Sequence, residues 1–253
     1  MPMRIPLPLL LAAAISFSLT ACAPSTSFSS SSQTPSTRTV VDVWNREVEV
    51  PEQVDTILCL GSMAPRFAAY LDVVDRMVGA EDSDLVQMSV RYDYSPVYYD
   101  QLKQLPSVGA GRGSGENNAY PEEIIKLQPD VILAGFNQDA ADELQRQTGI
   151  PVVSVRYRTQ GFLDEGFYRT LRLFAEVVGA EDRCEEILTY LDACKADLDD
   201  RTKDIPDSEK QKAYTGAVTF NGRHGFAFTY VNFPPFTAIH ANNVADEFLQ
   251  EQT

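Results

Sequence analysis

The period of the apolar positions changes several times along this chain, and each change marks an element. "TVVDVWNREVEVP" (39–51) alternates apolar and polar residues on both sides of Trp44-Asn45-Arg46, which predicts a β-hairpin turning at those residues. "DTILCLG" (55–61) is continuously apolar and ends in glycine, the pattern of a strand covered on both faces. "MAPRFAAYLDVV" (63–74) spaces Phe67, Tyr70, Leu71 and Val74 along one helix face, and "RMVGAED" (76–82) reads as another short strand. The polar and aromatic "SDLVQMSVRYDYSPVYYDQL" (83–102) has no period and is expected as a long loop. The glycine-rich "VGAGRGSGENNAY" (108–120) follows it. "PEEIIKL" opens with proline and two acids, a good helix start. "PDVILAG" is a strand, "DAADELQRQTG" a helix closed by glycine, and "IPVVSVRY" a strand. Strands alternating with helices at this spacing predict a doubly wound α/β lobe with a mainly parallel sheet.

Beyond Tyr157 the period becomes helical from Phe162 to about Lys203. Phe167, Leu171, Phe174 and Val178 form one face; Ile187, Leu188, Leu191 and Leu198 form another past a break at Gly179. Such a segment after a lobe is expected to be a spine. "KQKAYTGAVTF" (210–220) returns to strand, and the chain ends some fifty residues into this new α/β region. A lobe matching the first needs roughly 100 residues. The expected fold class is therefore α/β, with two Rossmann-like lobes joined by a long helix and the second lobe truncated.

The first residues carry a different signal. A single basic residue, Arg4, precedes the uncharged "IPLPLLLAAAISFSL", the layout of a secretory signal. A bilayer-spanning helix needs roughly 20 apolar residues, and two prolines weaken this run. Leu19-Thr20-Ala21-Cys22 resembles the bacterial lipobox, which implies acylation at Cys22 and a lipid anchor on the periplasmic or extracellular face of the membrane. "APSTSFSSSSQTPSTR" is a flexible tether. The expected organisation is a signal at 1–21, a lipidated Ser/Thr-rich tether at 22–38, a first lobe at 39–160, a helical spine at 161–205 and the start of a second lobe at 206–253.

Composition narrows the function. With 44% hydrophobic residues the chain can bury a core, and a net charge of −15 argues against nucleic acid and against adhesion to anionic lipid. Cys59 sits in an apolar run, where cysteine behaves as a small core residue. Cys184 and Cys194 lie on one predicted helix, roughly 15 Å apart and too far for a bridge. Two histidines, His224 and His240, without Cys-x-x-Cys pairing, give no zinc-site pattern and make a bare-metal site improbable. "GAGRGSG" does not run from strand into helix at dinucleotide spacing, and "LGSMA" is not a nucleophile elbow, so no enzyme is expected and no cofactor is assigned.

In order and spacing, residues 40–253 resemble the substrate-binding lipoproteins of ABC importers for iron-siderophore, haem and cobalamin chelates. Asp42, Arg46, Val48, Val50 and Pro51 match the family's opening hairpin, with Asn45 in place of its usual glycine. "LCLGSMAPRFAAYLDVVDRMVGAED", "LQPDVILAG", "TGIPVVSV" and "NGRHGFAFTYVNFPPFTAIHANNVADE" match later landmarks. The resemblance implies a chelate held between two lobes and delivered to a permease and ATPase complex. Ligands of open parallel sheets sit beyond the carboxyl ends of the strands. Those ends carry Ser62, Met63 and Arg66, then Phe136 and Asn137, then Arg156 and Tyr157. The neighbouring loops add Tyr92, Tyr94 and Arg112, and the second lobe adds Arg223 and His224. Aromatic faces suit a bulky chelate, and arginines suit its carboxylate or catecholate oxygens. In the cobalamin branch a glutamate at the "PEEIIKLQPD" helix docks on the permease, which implies that role for Glu122. The ligand is expected to be a ferric siderophore, with haem or cobalamin as the alternative. Direct ligation of ferric iron by tyrosine phenolates stays open, and a non-transport surface lipoprotein is the remaining reading.

Overall fold

The computed structural model describes residues 36–61, 63–90, 92–111, 117–156, 163–218 and 225–247. Strands β1 (Thr37–Val41) and β2 (Glu47–Pro51) form the antiparallel hairpin. Strands β3 (Ile57–Leu60), β4 (Val131–Ala134) and β5 (Val152–Ser154) form a parallel sheet in that order. Between and after them come α1 (Ala64–Tyr70), α2 (Asp82–Leu85), α3 (Ser95–Leu102), α4 (Pro121–Leu127), α5 (Gln138–Thr148), α6 (Glu165–Val178) and α7 (Glu181–Thr202). Two departures from expectation stand out. Residues 77–80 extend the sheet edge only through isolated bridges, Ile57 to Met77 and Ala80 to Ser107, and form no strand. The expected loop at 83–102 contains helix α3 and the end of α2.

The continuous apolar runs become physical in the sheet. Successive side chains of a strand point to opposite faces, and here each face is covered. Ile57, Cys59, Val131, Leu133 and Val153 face α1, α6 and the hairpin, where Phe67, Leu171, Phe174, Val40 and Val50 complete a buried cluster. Leu58, Leu60, Ile132, Ala134 and Val152 face α4 and α5, through Ile124, Ala141 and Leu144. Helix α6, expected as part of the spine, is thus a wall of the first lobe. Helix α7 continues past that lobe. Cys184 and Leu188 anchor its start, and none of its residues beyond Leu188 is fully buried. Tyr168 in α6 donates to Asp192 Oδ1 at 2.6 Å and ties the two helices. After α7, two-residue strands β6 (Lys212–Ala213) and β7 (Asn242–Asn243) pair in parallel beside α8 (Pro234–Ala238). His240 Nε2 lies 2.7 Å from Asp199 Oδ1, linking this region to α7. Cys59, Cys184 and Cys194 are free thiols.

The outer edge of β5 would be open but for the hairpin turn. Asp42 is fully buried. Its carboxylate accepts from the backbone of Trp44 (2.9 Å), Arg46 (3.1 Å) and Ser154 (3.2 Å), and from Arg46 Nε (2.9 Å) and Nη2 (2.7 Å). Arg46 Nη2 also donates to Val152 O at 2.7 Å, and Val43 N donates to Ser154 O at 3.4 Å. One turn therefore caps the edge groups of β5 as a neighbouring strand would. Asn45, at φ 61°, takes the left-handed conformation that the tight turn requires. Removing one partner of a buried ion pair strands the other, so Asp42→Ala is expected to lose about 3–5 kcal/mol of stability. A lowered urea midpoint at unchanged denaturant slope is the measurement that checks it.

Candidate functional site

The carboxyl ends of β3, β4 and β5 form one edge of the first lobe. Two of the three strands run into glycine there. Gly61 has φ 76°, and a Cβ on it would sit 3.4 Å from Gly135 Cα and N, so backbone packs on backbone with no side chain between. At the end of β3, half-buried Met63 occupies the N-cap position of α1. Arg66 Nε donates to Asp93 Oδ1 at 2.8 Å, and Tyr70 also donates to that carboxylate. At the end of β5, half-buried Arg156 makes no hydrogen bond or ion pair among the described residues.

Four other expected site residues make packing or hydrogen-bond contacts within the fold. Tyr94 is buried, and its hydroxyl donates to Asp84 Oδ1 at 2.8 Å. Burial and the Asp84 charge push this phenol far above its ordinary range, and its hydroxyl is already spent on Asp84. Tyr92 is half-buried and stacks on Tyr94 with centroids 5.7 Å apart. Phe136 is 2% exposed and belongs to the core over α5. Asn137 Oδ1 accepts from Ala140 N at 2.9 Å and caps α5, so its side chain is committed. Ser62, Arg112, Tyr157, Arg223, His224 and Cys22 lie outside the described residues. Glu122 is exposed in the first turn of α4, whereas Glu123 pairs with Lys126 at 2.7 Å. Among the described residues no cluster of three or more His, Cys, Asp or Glu is placed to hold a metal ion.

Two features of the edge escaped the sequence. Trp44, the chain's one tryptophan, stands on the hairpin turn beside β4 and β5. Its indole Nε1 donates to Phe136 O at 3.0 Å and Ser154 Oγ at 2.9 Å, while Ser154 Oγ donates to Phe136 O at 2.7 Å. A unique tryptophan at a turn apex was the available signal. The second feature is a buried acidic pair, Glu81 and Asp84, beneath Gly61. The pattern gave no warning, because a strand followed by acids reads as a solvated turn.

A surface depression of about 660 Å³ lies away from this edge. There Arg38 and Arg76 donate to the last carbonyls of α6: Glu176 O (2.7 Å), Val177 O (3.1 Å) and Val178 O (2.6 Å). Those guanidinium groups cap a helix C-terminus, and Glu52, Asp55, Glu176 and Glu181 are among the other lining residues. The strand-end edge is the better site.

The family model for periplasmic binding proteins matches residues 69–229. The chain belongs to the periplasmic binding protein family. It is a family of binding proteins, in keeping with the reading that this is no enzyme. An uncharacterized ABC transporter substrate-binding lipoprotein of Bacillus subtilis, YvrC, is 23% identical over 82% of this chain and 60% of its own length. The molybdate periplasmic binding protein MolA of Haemophilus influenzae shares the fold, with TM-score 0.55, 19% identity, and coverage of 69% of this chain and 57% of that one. The heme binding protein HmuT does so at TM-score 0.53 and 19% identity, covering 85% and 65%. The chain thus spans less than two thirds of each relative's length.

Burial, opposed by the Gly61 N–H and reinforced by Asp84 and Asp82, pushes the Glu81 carboxyl from 4.5 up to about 7. Between those values the folded protein keeps a proton that the unfolded chain has released. Stability therefore falls as pH rises through that window and stays lower above it. Glu81→Gln is expected to raise stability at pH ~8 by roughly 3 kcal/mol and to change little near pH ~4.5. Urea midpoints at the two pH values check this.

Proposed function

We propose that this periplasmic binding protein is the solute-capturing component of an ABC importer. In this reading it is exported, anchored by lipid at Cys22, and captures a bulky metal chelate, a ferric siderophore before haem or cobalamin. The observation that carries it is the strand-end edge. Gly61 and Gly135 end β3 and β4 without side chains, and half-buried Arg156, which follows β5, makes no hydrogen bond or ion pair among the described residues. A guanidinium presents a fork of donors that pairs with carboxylate or catecholate oxygens. Family membership and the fold shared with a haem-binding protein support the reading. The fold shared with a molybdate-binding protein favours a second one, in which the same arginine receives a compact oxyanion.

Calorimetric titration with ferric siderophores, haemin, cobalamin and molybdate separates the two. Binding of at least one chelate is expected, with Arg156→Ala weakening it about tenfold, or 1.4 kcal/mol. Binding of molybdate alone selects the second reading, and no binding by any of them overturns both.

Delivery to the permease is assigned to Glu122, whose exposed carboxylate at the start of α4 suits an arginine pocket. Glu122→Lys is expected to cut ligand-stimulated ATPase activity of the reconstituted importer at least severalfold, with the titrated affinity unchanged.

A further inference from the structure

Trp44 is oriented the wrong way round for a surface tryptophan. An amphipathic side chain at a surface ordinarily buries its apolar body and keeps its polar tip wet. Here the only polar atom of the side chain points inward, shared between Phe136 O and Ser154 Oγ, while the residue is 36% exposed. The turn that carries it is fixed by five hydrogen bonds to the buried Asp42 carboxylate and by the left-handed Asn45. With its N–H spent, the indole has only apolar ring surface left to offer a ligand. Its hydrogen bonds hold the ring at the carboxyl ends of β4 and β5, where ligands of open parallel sheets bind.

We propose that Trp44 is a stacking platform in the ligand site, selecting chelates that present a planar π system, such as a catecholate ring or a porphyrin. This rests on the chelate-binding reading and makes it narrower: a chelate without rings gains nothing from the indole. An aromatic pair contributes beyond the area it buries, so losing it is expected to weaken aromatic chelates by about 3- to 10-fold.

The test uses the full chain and four probes: ferric tris(2,3-dihydroxybenzoate), haemin, the ring-free ferric tris(acetohydroxamate), and molybdate. Trp44→Ala and Trp44→Phe both remove the indole N–H and its hydrogen bonds, but only Trp44→Phe keeps a π face. The expected result is a 3- to 10-fold loss for an aromatic probe in Trp44→Ala, with most of it restored in Trp44→Phe. Equal losses in the two variants, or equal losses for aromatic and ring-free probes, reveal a purely structural tryptophan and overturn the proposal. Because Trp44 is the sole tryptophan, its emission gives a second readout. The colourless gallium(III) catecholate complex should shield it from acrylamide quenching, and unchanged quenching with the complex bound counts against the platform. Binding of ring-free probes alone overturns this proposal and leaves chelate capture standing. Failure of every probe removes both.

Discussion

One buried carboxylate governs the geometry of the first lobe. A three-stranded parallel sheet has two edges, and an unpaired edge in a lobe this small exposes a large fraction of its backbone polar groups. On the β5 side the chain brings back a turn instead of a fourth strand. Asp42 accepts the Ser154 amide, Arg46 donates to Val152 O, and the Asp42–Arg46 pair is sealed by a second acid, Asp142, at 2.6 Å from Arg46 Nη1. Isolated buried ion pairs often contribute little net stability, because desolvation cancels attraction. This one is different in kind. Its oxygens and nitrogens also satisfy the Ser154 amide and the Val152 carbonyl, so the pair fixes where the hairpin sits, not merely how firmly.

With the hairpin placed, the rest of the lobe is a matter of covering two faces. Each strand offers alternate residues to each side, and β3 to β5 are apolar on both. The hairpin, α1 and α6 take one face, and α4 and α5 take the other. Helix α6 is held in register at its end by Arg38 and Arg76, which satisfy the last-turn carbonyls that an α-helix leaves open. Gly179, at φ 66°, then reverses the chain into α7. Because α6 is consumed by the first lobe, α7 alone is left to reach the β6–β7 region.

Much of this was legible in residue order, for reasons that differ element by element. β3, β4 and β5 announced themselves because burial on both faces leaves no polar position to confuse the pattern. The ends of α5 and α6 were marked by Gly149 and Gly179, each needed at positive φ. Residues 76–82 misled because apolar composition satisfies a strand pattern whether or not a ladder forms. Helix α3 was hidden by a sequence, "SPVYYDQL", whose aromatic residues serve two surfaces at once. At the site, the strand ends were predictable from topology, but the direction of a side chain from its strand end was not. Phe136 turns into the core, Asn137 closes a helix, and Tyr94 finds Asp84, a partner ten residues away that no spacing rule exposes.

The same network that closes the sheet edge also aims the indole. Trp44 N is bound by Asp42, and Trp44 Nε1 is bound by the groups that terminate β4 and β5. Backbone and side chain are therefore fixed by independent contacts, and the ring has little rotameric freedom left to lose. Immobilising a mobile side chain on binding costs roughly 0.5–1.5 kcal/mol, a cost largely met here when the lobe folds. Arg156, which follows β5, has the opposite character, a long side chain with no hydrogen bond or ion pair among the described residues. In the proposed site, an indole held in place would read ring shape more strictly than a long guanidinium side chain reads anionic oxygens. Chelates sharing a planar face but differing in the placement of their oxygens would then be admitted together.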